Sequence, residues 1–302
     1  MKPALIIGST CVDVIIQIDH LPKTEENIRP TAQSMALGGC AYNVAAMFRL
    51  LDAPHTFITP VGGGTYGDYV PKEMEARNIP IHVSLPQEEN GCCYCLVEKS
   101  GERTFMSYHG VEYSFQKSWM EPFDADGYGL AYVCGLEIEE ATGGNLIGYL
   151  EEHPQLSVCY APGPRGVLID PEKTRRMMDL HPMLHINESE ARSLTGLSGI
   201  PEAAAALHAR TGNTVIITLG EQGAYCLEQN GDAYLVPSVP AREVADTIGA
   251  GDSHIGTILA CLTMDMPLKD AIAYANRVSS AVVSVKGATL PPELLPELPN
   301  TP

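Results

Sequence analysis

Residues 246–256, Asp246-Thr247-Ile248-Gly249-Ala250-Gly251-Asp252-Ser253-His254-Ile255-Gly256, are the stretch around which the rest of the chain can be read. A short turn leads into a glycine-spaced loop, Gly249-Ala250-Gly251, and then into an apolar run from Ile255 to Ala260 that continues as a helix. Asp252 falls in the first turn of that helix. Amides at a helix start lack intrahelical partners and carry about half a positive charge, so they attract anions. The two glycines put no Cβ between this backbone and a ligand. A carboxylate in such a loop repels the anion unless it serves a neutral group beside it, such as a hydroxyl whose proton it accepts. Phosphoryl transfer to an alcohol needs that grouping: in-line positioning, donors around the developing charge and a base for the attacking oxygen. The plainer alternative is a glycine-containing loop with Asp252 as an ordinary N-cap.

Working back from this stretch, strand 130–134, helix 139–150, strand 156–160, helix 171–179, strand 183–186, helices 188–195 and 201–211 and strand 214–219 alternate. That rhythm implies a parallel sheet with helices on both faces. Asn230-Gly231 joins strands 223–228 and 233–237 as an antiparallel hairpin at its edge. Helices 251–264 and 268–284 follow, and the proline-rich tail from Pro291 reads as surface wrap.

The first third begins with a continuous apolar run, Ala4 to Gly8, the mark of a strand buried on both faces. Residues 12–18 read as a second strand with Asp13 near its start. Gly38-Gly39 opens a helix through Leu50 in whose first turns Asn43 lies. Strands 92–98 and 103–108, joined by Lys99-Ser100-Gly101-Glu102, read as a hairpin. Residues 11–18, 33–37 and 81–110 together form a small sheet outside the main one, a lid of the kind that excludes water from phosphoryl transfer. Gly62, Gly64 and Gly67 satisfy G-x-G-x-x-G after a strand. That dinucleotide fingerprint normally belongs to the opening βαβ unit, and the acids about 20 residues on, Glu88 and Glu89, stand in a loop. We read it as a decoy.

Composition narrows the class. The 302 residues are 45% hydrophobic and 19% charged, and 19 basic against 37 acidic residues leave a net charge of −18. A general binder of nucleic acid or of anionic membrane needs a basic face and is excluded on that ground. No apolar run reaches the ~20 residues a bilayer requires. The N-terminus reads as a first strand and not a signal peptide, and nine cysteines point to a reducing cytoplasm. Cys92, Cys93 and Cys95 read as core residues of a strand, with no second pair at zinc-site spacing.

At this point the residues carry a family likeness. With Gly38-Gly39-x-x-x-Asn43-x-Ala45 near one end and Asp246-Thr247-x-Gly249-Ala250-Gly251-Asp252 about 200 residues later, the chain resembles the ribokinase-like carbohydrate kinases, the PfkB family. Gly8 with Asp13, Gly67-Asp68, Asn187-x-x-Glu190, Thr218-Leu219-Gly220-x-x-Gly223 and Lys286-Gly287-Ala288 extend the likeness over almost the whole chain.

The resemblance implies a three-layer α/β sandwich with a β lid, forming one domain over residues 1–302 that dimerises through the lid. It implies Asp252 as general base and Gly249, Ala250 and Gly251 as the anion hole. Asp13, Gly38, Gly39 and Asn43 would bind acceptor hydroxyls. Asn187 and Glu190 would lie near the phosphates and Mg2+, with Glu190 reaching the metal through water. Thr218, Gly220 and Gly223 would form the nucleotide loop, with Asn276 beside adenine. Asp246, the backbone of Ile248 and Gly287 would hold K+.

The expected reaction moves the γ-phosphoryl group of ATP to a primary hydroxyl of a small sugar. A nucleoside acceptor is the alternative, for which Tyr94, Phe105, Met106 and Tyr108 could furnish a base slot. A non-catalytic sugar or nucleotide sensor is the remaining reading, against which an acid beside phosphate speaks. Cys40 and Tyr42 stand where members acting on phosphorylated sugars often carry lysine, which favours an unphosphorylated acceptor. His254 departs from the usual apolar residue and reads as packing.

Overall fold

The computed structural model describes residues 2–241 and 243–299. In chain order the elements are β1 (Ala4–Ile7), β2 (Cys11–Ile18), β3 (Ala32–Gly38), α1 (Cys40–Leu50), β4 (His55–Ile58), β5 (Pro60–Gly63), α2 (Tyr69–Ala76), β6 (Val83–Glu89), β7 (Cys92–Glu98) and β8 (Arg103–Tyr108). They continue with β9 (Leu130–Cys134), α3 (Gly135–Glu139), α4 (Gly143–Glu152), β10 (Ser157–Ala161), α5 (Pro171–Asp179), β11 (Met183–Asn187), α6 (Glu188–Thr195) and α7 (Ile200–Thr211). The last are β12 (Val215–Thr218), β13 (Ala224–Leu227), β14 (Ala233–Val236), α8 (Ala250–Thr263) and α9 (Leu268–Val282).

The main sheet runs β14-β13-β12-β11-β10-β9-β1-β4, parallel except for β13 and β14 at one edge. Its central strands β1 and β9 are apolar throughout because both faces are covered. Along β1, Ile6 packs into one core with α1, α8 and α9, while Leu5 and Ile7 pack into a second with α4, α5 and α7. Along β9, Tyr132 and Cys134 join the first core and Ala131 and Val133 the second. This period-2 division is what makes three layers.

The first core positions the site. Ile255, Ile258 and Leu259 of α8 are at most 1% exposed, and each such burial stabilises by roughly 1.5–3 kcal/mol. At Gly256 the helix lies so close to α1 that a Cβ there would sit 3.0 Å from Val44 Cα. That crossing brings the N-terminal turns of two helices remote in sequence side by side.

Four strands, β3-β2-β7-β8, form the separate lid sheet. The expected lid range is corrected in one respect: β6 does not join it but pairs in parallel with β5 as a two-stranded sheet. The strand expected before Gly62 is two, broken at Thr59, after which Pro60, lacking an N–H, begins the departure to β6. The helix expected over 139–150 begins later, at Gly143, as α4; the short α3 before it ends at Glu139, its carbonyls at Ile138 and Glu139 accepting Lys173 Nζ at 3.0 and 3.2 Å. A cation at a helix C-terminus complements the dipole there.

The glycines of the decoy fingerprint face the chain itself. Gly62 donates to Asn90 Oδ1 at 3.0 Å and the Gly63 carbonyl accepts Asn90 N at 3.0 Å, so this turn is built against the 86–90 backbone. The nine cysteines are free thiols, most of them buried. Among the described residues no helix is long and apolar enough to cross a membrane.

Candidate active site

Asp252 stands in the first turn of α8, behind the N-cap Gly249. Asn43, in the first turn of α1, donates its Nδ2 to Asp252 Oδ2 at 2.8 Å across 209 residues of sequence. The other Asn43 amide atom, Oδ1, is buried and without a partner among the described residues. Asp13, on β2, lies over Gly38, where a side chain would collide with its carboxylate at 2.1–2.6 Å. Of the residues expected to bind the acceptor, Asp13, Gly38, Gly39 and Asn43 are thus brought together with Asp252.

Both carboxylates are perturbed. Burial pushes Asp252 up to about 6, opposed by hydrogen bonds from Asn43 and the Cys40 thiol. Burial likewise pushes Asp13 up to about 6; the Cys11 thiol opposes this and the charge of Asp252 adds to it. Each is therefore close to neutral pH in its proton affinity, the condition under which a carboxylate works as a base.

Beyond the α8 terminus opens a cavity of about 580 Å³ lined by Thr218, Gly220, Gly223, Ala250, Gly251 and Asn276 among others. The expected nucleotide residues therefore meet the expected anion hole in one space. Its wall is braced by a buried chain of hydrogen bonds. Asn276 Nδ2 donates to the carbonyls of Val236 and Pro237 at 3.1 and 3.0 Å, so its Oδ1 must accept, and it takes His254 Nε2–H at 3.1 Å. His254 Nδ1 is then an acceptor and receives His185 Nε2–H at 2.9 Å. Burial drives His254 down to about 4, against the Asn276 hydrogen bond, and lowers His185 as well. Both rings are neutral, and His254 holds the wall rather than touching Asp252.

Asn187 and Glu190 cap α6 reciprocally. Glu190 N donates to Asn187 Oδ1 at 2.8 Å, while Glu190 Oε2 and Oε1 accept Asn187 N and Nδ2 at 3.0 and 2.8 Å. Burial raises Glu190; the Asn187 amide opposes this and the Asp252 charge adds to it, placing the pair within electrostatic reach of the base. Each Glu190 oxygen keeps a lone pair for water, which fits an indirect contact to magnesium. Among the described residues no group of three or more His, Cys, Asp or Glu side chains could hold a metal by itself.

Asp246 differs from expectation. Its Oδ1 accepts Ile248 N at 2.7 Å and Oδ2 accepts Gly287 N at 3.0 Å, but Oδ1 also faces Arg103 Nη1 at 2.6 Å. A carboxylate read as a potassium ligand already has a cationic side chain, and the residues present do not fit a bare monovalent ion at that oxygen.

The base slot is corrected too. In the lid register Asp13 pairs with Cys93, Cys93 with Ser107 and Cys95 with Phe105, so these share the face turned to Asp252. Tyr94, Met106 and Tyr108 alternate to the opposite face, where Tyr94 hydroxyl meets that of Tyr66 at 3.1 Å. Of the four, only Phe105 lies on the lid face that carries Asp13.

Sequence reasoning missed Glu137. It heads the turn after β9, is fully buried, accepts Ser9 N on Oε1 at 2.8 Å and leaves Oε2 unpartnered among the described residues. An acid three residues after a buried strand was the available signal.

An uncharacterized sugar kinase, YegV, of Escherichia coli is 30% identical over 295 residues, covering 96% of this chain and 91% of that protein. The structure of Arabidopsis thaliana ribokinase complexed with ribose and ATP superposes with a TM-score of 0.81 at 21% identity, covering 98% of this chain and 96% of that one. A Burkholderia thailandensis nucleoside kinase in complex with inosine gives 0.76 at 21% identity, covering 94% and 91%. Since the family model described as pfkB family carbohydrate kinase matches residues 1–294, the chain belongs to the PfkB family of carbohydrate kinases.

Proposed function

We propose that the protein transfers the γ-phosphoryl group of ATP to a primary hydroxyl of a small unphosphorylated sugar, with Asp252 as the base. The observation that carries this reading is the 2.8 Å bond from Asn43 to Asp252, which places a hydroxyl-binding amide, a carboxylate and a helix terminus around one point. Asp252 takes the proton of the acceptor hydroxyl, whose oxygen attacks the terminal phosphorus as ADP leaves. The amides of Ala250 and Gly251 receive the developing negative charge. Asp13 and Asn43 orient the sugar, and Thr218, Gly220, Gly223 and Asn276 bound the nucleotide space. Glu190 would stand behind the waters of a bound magnesium ion, which would supply charge neutralisation.

The alternation of lid residues favours sugar over nucleoside, because three of the four slot candidates face away from Asp252. The exposed Met35, Met106 and Tyr108 of the lid support a homodimer through that sheet. The deciding experiment is acceptor-dependent ADP release across aldoses, ketoses and nucleosides. Turnover is expected with a free sugar, and turnover only with nucleosides would replace the reading with its alternative.

The perturbed acids also set a pH profile. The base must be ionised, so kcat/KM on the best acceptor should be flat above about 6 and fall about tenfold per pH unit below it. Stability should move the other way. Asp252 and Asp13 hold protons more tightly folded than unfolded, so their contribution to stability is present below 3.8 and lost as pH rises through about 6. A profile whose acid limb lies at the ordinary carboxylate value would contradict this environment for Asp252.

A further inference from the structure

The lid meets the body at a place the chemistry above does not use. Arg103 opens β8 opposite Val97 and lies on the same lid face as Phe105, Cys95, Cys93 and Asp13. From there its guanidinium reaches Asp246 at 2.6 Å, with side chains 14% and 10% exposed, the least exposed ion pair among the described residues. Arg103 Nε has no partner among the described residues, so Asp246 is the group that holds it.

Asp246 is not a free surface acid. Through the Ile248 and Gly287 amides it clamps two segments together, the strap that runs into Gly249 at the head of α8 and the turn after α9. Ala245 N and Asp246 N fasten the same two segments on Val283 O at 2.8 and 3.1 Å. An uncompensated carboxylate here would set a full negative charge beside amides that must receive a phosphoryl group, in surroundings where screening is weak. A cation must offset it. In this chain that cation is a guanidinium, permanently charged and mounted on the lid.

We propose that Arg103 is a positioning residue: it supplies from the lid the positive charge that Asp246 needs, so that seating the lid and setting the anion loop are one event and no monovalent cation is required. The kinetic part of this proposal rests on the kinase reading; the binding part does not.

The test uses the full-length protein, Arg103→Lys and Arg103→Ala, each melted and each assayed for acceptor-dependent ADP release in potassium, sodium or tetramethylammonium chloride at equal ionic strength. Wild type and Arg103→Lys are expected to show the same kcat and the same Tm in all the salts. Arg103→Ala is expected to lose about 100-fold in kcat in tetramethylammonium, as for a displaced catalytic loop, with KM for the acceptor little changed. Potassium or guanidinium ion should restore most of that loss, and potassium alone should raise its Tm.

Wild type whose kcat or Tm rises with potassium over sodium overturns the proposal. So does Arg103→Ala with full activity in tetramethylammonium, or with a Tm that potassium does not raise. If wild type releases no ADP with any acceptor, the kinase reading fails and the melts alone decide: stabilisation by potassium confined to Arg103→Ala upholds the role of Arg103, and any other pattern rejects it.

Discussion

Asp252→Asn should lower kcat by roughly 10⁴-fold on the best acceptor, the upper end of what a general base contributes, while the folded protein melts no lower than wild type at neutral pH. The substitution preserves shape, and the new carboxamide oxygen can still accept the 2.8 Å bond from Asn43 Nδ2. What it removes is the ability to take a proton. It also removes a carboxylate whose ionisation is opposed by burial, up to about 6, so the loss of charge does not weaken the fold. A steady-state assay beside a thermal melt checks both halves. An Asp252→Asn protein with wild-type kcat would end the assignment of the base, and one that fails to fold would show Asp252 to be structural instead.

Gly249→Ala should be the second most damaging change, for a different reason. Gly249 adopts φ 71°, and a Cβ built on it would lie 2.6 Å from Ala288 Cβ and 2.8 Å from Ala288 O. The neighbour is part of the turn that Asp246 clamps, so neither segment can yield without moving the amides at the head of α8. Strain of this kind costs roughly 1–3 kcal/mol, and a displaced anion loop should cost about 100-fold in kcat. The matched control is Gly251→Ala, where a Cβ meets nothing within 4 Å and the Tm should hold. Equal Tm losses at both positions would mean that packing against Ala288 is not what sets the loop.

Much of this arrangement was legible in the residues. Alternating buried runs fix their own secondary structure, so α5 and α6 lie where helices over 171–179 and 188–195 are expected. Asp170 and Asn187 explain why: each caps the backbone amides at the head of its own helix, a local signal independent of the rest of the fold. Where expectation failed, the decisive contact was remote. The end of α3 is held by Lys173, some 35 residues away, and the break at Thr59 follows from where β5 finds its partner β6.

The chemistry divides along the same line. Residue type and short spacing were enough to show a glycine-spaced helix start with an acid in it, a paired-glycine turn with an asparagine, and a net charge of −18. Such features are local or compositional, and hold whatever the chain packs against. That Asn43 touches Asp252, that Tyr94 and Phe105 fall on opposite faces of the lid sheet, and that Arg103 faces Asp246 were decided only by helix crossing, strand register and lid placement. Those depend on contacts between segments separated by up to 209 residues, whose pairing no local pattern encodes.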